Sequence, residues 1–215
     1  MPRRRALVEA EQALFGRSPV LDSLIEAHGP ARLPGPAPAA RRFHDLAESI
    51  AYQQLHGAAA AAIWGRVRDA TGENVVGPEA ILGVGEVRLR SCGLSGSKTR
   101  TLLALADRVA VGDLTLDRIG RLDDEAVIDA LTPTWGIGRW TAQMFLMFTL
   151  GRLDVWPAGD YGVRHGYAVA WDLAEHPAEK AMPALGEPFA GGRSLVAWYC
   201  WRAADSRKSA ETGRS

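Results

Sequence analysis

Two stretches of this chain hold residue types that could do chemistry. The first is Leu131-Thr132-Pro133-Thr134-Trp135-Gly136-Ile137-Gly138-Arg139-Trp140-Thr141-Ala142, where one helical pattern stops, two glycines bracket an apolar residue and a new helical pattern starts. Glycines at such a corner permit positive φ and let the backbone approach another surface closely, while a helix start leaves N–H groups without intrahelical partners. A turn of that kind can grip a phosphate through its backbone, with Arg139 alongside. A bare Gly-x-Gly also serves as an ordinary turn between packed helices, so the flanking residues decide between the two. The second stretch ends in Asp160, just ahead of a helical pattern from Val163 to Trp171. Asp is a favoured N-cap, and a helix N-terminus stabilises the ionised carboxylate.

Other candidate sites fail on spacing. Gly93-Leu94-Ser95-Gly96-Ser97-Lys98-Thr99 superficially resembles a phosphate-binding P-loop, but Ser97 separates Gly96 from Lys98 and no strand pattern precedes it. The five histidines show no metal-ligand spacing, so no metal site is expected, and Asp123-Asp124 sit where they would support a helix start.

The elements that must position the two stretches read as helices. Phe43, Leu46, Ala47, Ile50 and Ala51 follow the rhythm of a helix with one buried face. A second helix, Ala-rich from Ala58 and continuing through Ile63, Trp64 and Val67, follows a tight corner at Gln54-Leu55-His56-Gly57. Further helical patterns fall at Leu102 to Val109, at Val127 to Leu131 and at Leu195 to Trp201, and Trp140 to Leu150 is apolar almost all round, as in a central buried helix. Alternating strand patterns are essentially absent. The expected fold is therefore all-α, with two helical lobes and a cleft between them. Pro34-Gly35-Pro36-Ala37-Pro38 cannot sustain a helix. This divides the chain into an N-terminal helical segment with a Pro-rich linker over 1–40, a bilobal core over 41–205 with the hairpin at about 131–142, and a frayed polar tail over 206–215.

Composition bounds the partners. The 215 residues are 47% hydrophobic, ample for a packed core, and 25 basic residues balance 25 acidic ones. Any face for a polyanion must then be local. Cys92 and Cys200 are too few for a disulfide scaffold, a four-thiolate zinc site or a cysteine-ligated iron–sulfur cluster. Glu9, Glu11 and Gln12 interrupt what would be the apolar core of a signal peptide, and no segment approaches the ~20 apolar residues of a membrane span. A cytoplasmic monomer is expected, associated with the nucleoid if the source is bacterial.

With its flanks, the hairpin resembles the helix-hairpin-helix DNA glycosylases, and particularly their 3-methyladenine DNA glycosylase II branch. The resemblance is carried by Leu131-Thr132, by Gly136 through Ala142, by Gly151-Arg152-Leu153-Asp154-Val155-Trp156-Pro157-Ala158-Gly159-Asp160-Tyr161-Gly162, by Glu48-Ser49-Ile50-Ala51-Tyr52-Gln53-Gln54-Leu55, and by Gly93-Leu94-Ser95 with Lys98. It covers roughly residues 41 to 205.

The resemblance implies a DNA glycosylase of base excision repair that flips an alkylated base, such as 3-methyladenine, out of double-stranded DNA and hydrolyses its N-glycosidic bond. In the family the carboxylate 22 residues after the last hairpin glycine is catalytic, which here is Asp160. An ionised carboxylate suits that role because positive charge develops on the deoxyribose as the base departs. Asp154, which does not match that spacing, is then structural or a support to the catalytic residue. Relatives that also cut the backbone carry a lysine where this chain has Trp140, and tryptophan cannot form their Schiff base. The implied reaction is thus monofunctional hydrolysis without a cofactor.

Trp140 and Trp201 match the family's base-pocket positions and would offer π faces to a cationic base, although tryptophans also serve as core residues. Met144, one turn after Trp140, stands where related chains carry an aromatic side chain, leaving the lesion preference open. The hairpin Gly136, Ile137, Gly138 and Arg139 would bind DNA, helped by a monovalent cation, sodium or potassium, on hairpin carbonyls and by phosphate contacts from Lys98 and Arg164, with Arg100 and His165 as further helpers. Gln54, Leu55 and His56 form the corner that would wedge into the duplex, with no indication of which one inserts. Two rival readings fit the same residues: a non-catalytic helix-hairpin-helix DNA-binding protein, and a glycosylase for deaminated or oxidised bases.

Overall fold

The computed structural model describes residues 2–55 and 57–212. In chain order the helices are α1 (Pro2–Leu14), α2 (Pro19–His28), α3 (Arg42–Tyr52), α4 (Gly57–Thr71), α5 (Pro78–Ser91), α6 (Gly96–Ala110), α7 (Asp124–Leu131), α8 (Arg139–Met144), α9 (Tyr161–Ala170), α10 (Met182–Gly186) and α11 (Arg193–Thr212), with a π-helical turn over Phe145–Thr149 directly after α8. No strand occurs among the described residues, and no helix there is long and apolar enough to cross a membrane.

The chain forms two compact units. Pro36–Leu150 makes one; residues up to Gly35 together with those from Gly151 onward make the other. The expected division into an N-terminal appendage, a core and a tail needs correcting at both ends. The N-terminal helices belong to the unit built by the C-terminal third, because Leu14 and Leu21 are fully buried and the Tyr199 hydroxyl of α11 bonds the Glu11 carboxylate, which also accepts the Ala31 N–H at 2.7 Å. Residues 206–212 continue α11 instead of fraying from it. The Pro-rich stretch does contain one of the crossings between units, at Gly35 and Pro36.

In the unit Pro36–Leu150, α3 buries the predicted face, Phe43, Leu46, Ala47, Ile50 and Ala51. Asp123 caps α7 by accepting the Ala126 N–H at 2.8 Å, and Ser95 caps α6 by accepting the Lys98 N–H at 3.2 Å. Helix α5 escapes the sequence reading for a physical reason. It buries only Ile81 and Leu89, and Gly85 inside it sits at φ 72, so no sustained apolar stripe marks it. The apolar segment after Gly138 does not run as a single buried α-helix either. It changes to π geometry at Phe145 and leaves Trp140 and Phe148 well exposed.

In the other unit, α9 and α11 pack at very short range. A Cβ added at Gly166 would fall 1.8 Å from the carbonyl oxygen of Cys200, so only glycine admits this contact. Cys92 and Cys200 are both buried free thiols.

Candidate active site

Asp160 is the N-cap of α9. Its Oδ1 accepts two hydrogen bonds, from the backbone N–H of Val163 at 2.8 Å and from the indole Nε1–H of Trp201 at 3.0 Å. Asp160 as a whole residue is 9% exposed. Burying a charge is costly unless donors face it, and here a capped helix start and an indole dipole both do. Its position is also fixed from behind: Gly162 lies so close that a Cβ there would come within 2.9 Å of Trp201 Cδ1 and 3.1 Å of Asp160 Oδ1. Burial, with the Asp160 charge adding to it, pushes the neighbouring Cys200 thiol well up, so that cysteine stays protonated.

The structure thus brings Asp160 and Trp201 into direct contact. Trp201 acts as a donor that orients the carboxylate, a role its expected place in a base pocket did not indicate. Asp154 is held apart in a two-pronged ion pair: Arg193 Nε reaches Oδ1 at 2.8 Å and Nη2 reaches Oδ2 at 2.8 Å. Burial works to raise the Asp154 pKa, but the hydrogen bonds and charge of Arg193 outweigh it, and the group is held below the usual carboxylate range. Arg164, expected to contact a phosphate, directs Nη1 to the Pro177 carbonyl at 3.2 Å. The ring of His165 stacks on Tyr161, centroids 5.7 Å apart.

In the unit Pro36–Leu150 the hairpin is a turn closed by the Ile137 N–H on the Thr134 carbonyl at 3.0 Å. Its two glycines have different reasons. Gly136 has φ 82, and a Cβ there would come 2.0 Å from Thr101 Oγ1, so both conformation and packing demand glycine. Gly138 has ordinary extended geometry at the start of α8, and a Cβ there would meet nothing within 4 Å. Ile137 is buried and anchors the turn.

The cations expected to contact phosphate each have a neighbour within the chain. Arg139 forms a fork with Glu125, Nη1 to Oε2 at 2.9 Å and Nη2 to Oε1. Lys98 sends Nζ to the Ala51 carbonyl near the end of α3 at 2.8 Å, and burial lowers its pKa. Arg100 is exposed on α6, its guanidinium 4.1 Å over the ring of Trp135, the residue preceding Gly136. Trp135 carried no functional expectation from sequence, and only its place one residue before the turn glycine could have drawn notice.

The corner after α3 is shaped for projection. Gln54 takes φ 56, uncommon for a residue other than glycine, and both it and Leu55, 41% exposed, stand at the surface. Gln53 turns the other way and donates from Nε2 to Thr141 Oγ1 at 3.1 Å, tying the corner to α8. His56 lies outside the described residues. On α8, Trp140 is 42% exposed, and Met144 lines a cavity against α3.

Residues 47–190 match the model of the HhH-GPD superfamily of base excision DNA repair proteins. DNA-3-methyladenine glycosylase 1 of Schizosaccharomyces pombe is 35% identical over 162 residues, 74% of this chain and 71% of that protein. Among solved structures, the 3-methyladenine DNA glycosylase of Schizosaccharomyces pombe in complex with abasic DNA aligns with a TM-score of 0.80 at 33% identity, covering 90% of this chain and 95% of that one. A DNA-3-methyladenine glycosidase from Bacillus halodurans aligns with a TM-score of 0.78 at 34% identity, covering 94% and 90%.

Proposed function

Because the chain belongs to the HhH-GPD superfamily of base excision DNA repair proteins, we propose that it is a monofunctional DNA glycosylase that excises alkylated bases such as 3-methyladenine from duplex DNA. The observation that carries this reading is the Asp160 carboxylate, fixed by the Val163 and Trp201 N–H donors at the head of α9. The S. pombe and B. halodurans relatives, named for 3-methyladenine, support the substrate class.

The chemistry follows from the charge. An extruded nucleotide places its sugar beside the carboxylate; the C1′–N bond breaks with its electron pair leaving on the base, and positive charge builds on the deoxyribose. A fixed carboxylate stabilises that charge without reorganising during the reaction. Water then adds to C1′ and loses a proton, leaving an abasic site. Trp140 occupies the position of the amine that backbone-cutting relatives use, so the strand stays intact. No cofactor enters these steps.

DNA is held by the hairpin and its surroundings. No neighbour in the chain requires Gly138 to lack a side chain, and a phosphate approaching its backbone supplies the reason. The corner Gln54, Leu55 and His56 is the segment assigned to fill the gap left by the extruded base. Because Arg139 is already paired to Glu125, the cation most available at the turn is Arg100, braced on Trp135. Each phosphate neutralised contributes about 0.9 to the slope of log affinity against log salt. Arg100→Gln is expected to lower that slope by about 0.9, and Arg139→Gln by less; filter-binding titrations between low and physiological salt check this, and the opposite order would rule out the assignment.

The functional reading is tested with duplexes carrying 3-methyladenine, 7-methylguanine, hypoxanthine or 8-oxoguanine. The methylated purines should be released fastest. Release of 8-oxoguanine alone would move the protein to oxidised bases, and binding without release would make it a non-catalytic DNA-binding protein.

A further inference from the structure

A cavity of about 590 Å³ lies within the unit that carries Asp160, lined by α9, the segment after it and the second half of α11. The volume falls in the range of roughly 300–1,000 Å³ typical of ligand sites. Three rings meet at its wall. Tyr161, 61% exposed, has the imidazole of His165 stacked on it with centroids 5.7 Å apart and that of His176 edge-on at 5.4 Å. Tyr161 and His165 stand one turn apart on α9, whereas His176 comes from the segment beyond Trp171, so one tyrosine holds two imidazoles from separate elements. An imidazole keeps at least one N–H donor in either protonation state.

Charge decides what such a space accepts. Arg207 and Lys208 line the cavity; its acids are Glu175 and Asp205, and Asp205 is paired with Arg202 at 2.8 Å. The three cations outnumber the two carboxylates, and the imidazoles add donors, so an anion gains more here than a neutral or cationic group. Between the polar groups lie Val169, Leu173 and Ala204, an apolar surface that suits the carbon face of a sugar better than a bare hydrated ion. Tyr161 and Gly162 directly follow Asp160 in the chain, and Gly162 is the residue pressed against both Asp160 and Trp201. A deoxyribose held at that carboxylate carries a phosphate on either side, which a strand engaged there brings next to the cavity.

We propose that this cavity binds a phosphate and sugar of the target strand beside the extruded nucleotide, with His165 and His176 donating hydrogen bonds and Arg207 and Lys208 supplying the charge. That the occupant is a DNA strand rests on the glycosylase reading above; that it is a phosphate does not.

The test uses the full chain and duplexes bearing a stable abasic analogue, in which each phosphate near the analogue is replaced in turn by an uncharged methylphosphonate. At one position the replacement should weaken wild-type binding roughly fivefold, and the loss should shrink to less than about twofold in Lys208→Gln and in His176→Gln yet persist in Arg100→Gln. Lys208 and His176 are exposed, so neither substitution should change the unfolding temperature. Equal losses in all four proteins at every position would overturn the proposal. It would also be overturned if inorganic phosphate at matched ionic strength moved the His165 and His176 ring resonances while no position of the duplex coupled to these residues, because the site would then take a free phosphate and not a strand. Coupling at one phosphate in a protein that releases no base from a 7-methylguanine duplex would sink the glycosylase reading and leave the strand site standing; base release without coupling would do the reverse.

Discussion

Replacing Asp160 with Asn should lower kcat/KM for excision of a methylated purine by about 10³-fold while leaving affinity for the duplex within about twofold. Opposite charges ~4 Å apart in an effective dielectric near 20 attract by about 4 kcal/mol, which corresponds to a factor of that size in rate. The substitution isolates charge from structure. Asn caps helices as well as Asp does, so the Val163 N–H keeps an acceptor and α9 keeps its start. The amide oxygen also still accepts from Trp201. Single-turnover base release and equilibrium binding, measured on the same preparation, check both halves. Near-normal turnover in this variant would remove Asp160 from the mechanism.

Gly162→Ala should cost roughly 10- to 100-fold in kcat without destabilising the protein. By helix propensity alone the change favours α9 by about 1 kcal/mol. The new Cβ would nevertheless stand 2.9 Å from Trp201 Cδ1 and 3.1 Å from Asp160 Oδ1, so the indole, the carboxylate or both must move. Trp201→Phe removes the donor without the clash, and it should lose activity in the same range, since a hydrogen bond to a charged group contributes about 1.5–3 kcal/mol. If the two effects share a cause, the double variant falls well short of the product of the single ones. Unfolding curves together with steady-state kinetics decide the matter, and a variant that loses stability in proportion to activity would point to packing alone.

Much of this was legible in the sequence, for particular reasons. The stripe on α3, the hairpin between α7 and α8 and the cap at Asp160 are local patterns, set by spacing, glycine and capping chemistry within a few residues of one another. Long-range partners were not legible. Nothing local indicates that Arg139 is held by Glu125, that Lys98 spans to the Ala51 carbonyl, or that Arg164 turns to Pro177. Each of these cations satisfies an acceptor that only tertiary packing supplies.

The contact between Trp201 and Asp160 lies 41 residues apart in sequence. One signal for it was available: Gly162 and Gly166, four residues apart in a helical segment, disfavour a helix unless something packs closely on that face. The N-terminal helices were misassigned because proline punctuation marks where a chain leaves a unit but not whether it returns to one. The buried contacts of Leu14 and Tyr199 decide that.

The most direct measurement follows the fate of a single methylated nucleotide. A duplex containing one 7-methylguanine is incubated with excess protein, and free base and strand length are recorded from the same samples before any alkali treatment. The mechanism predicts one equivalent of free 7-methylguanine from an unbroken strand. A strand cut in step with base loss, or a tightly bound duplex that keeps its base, would contradict it.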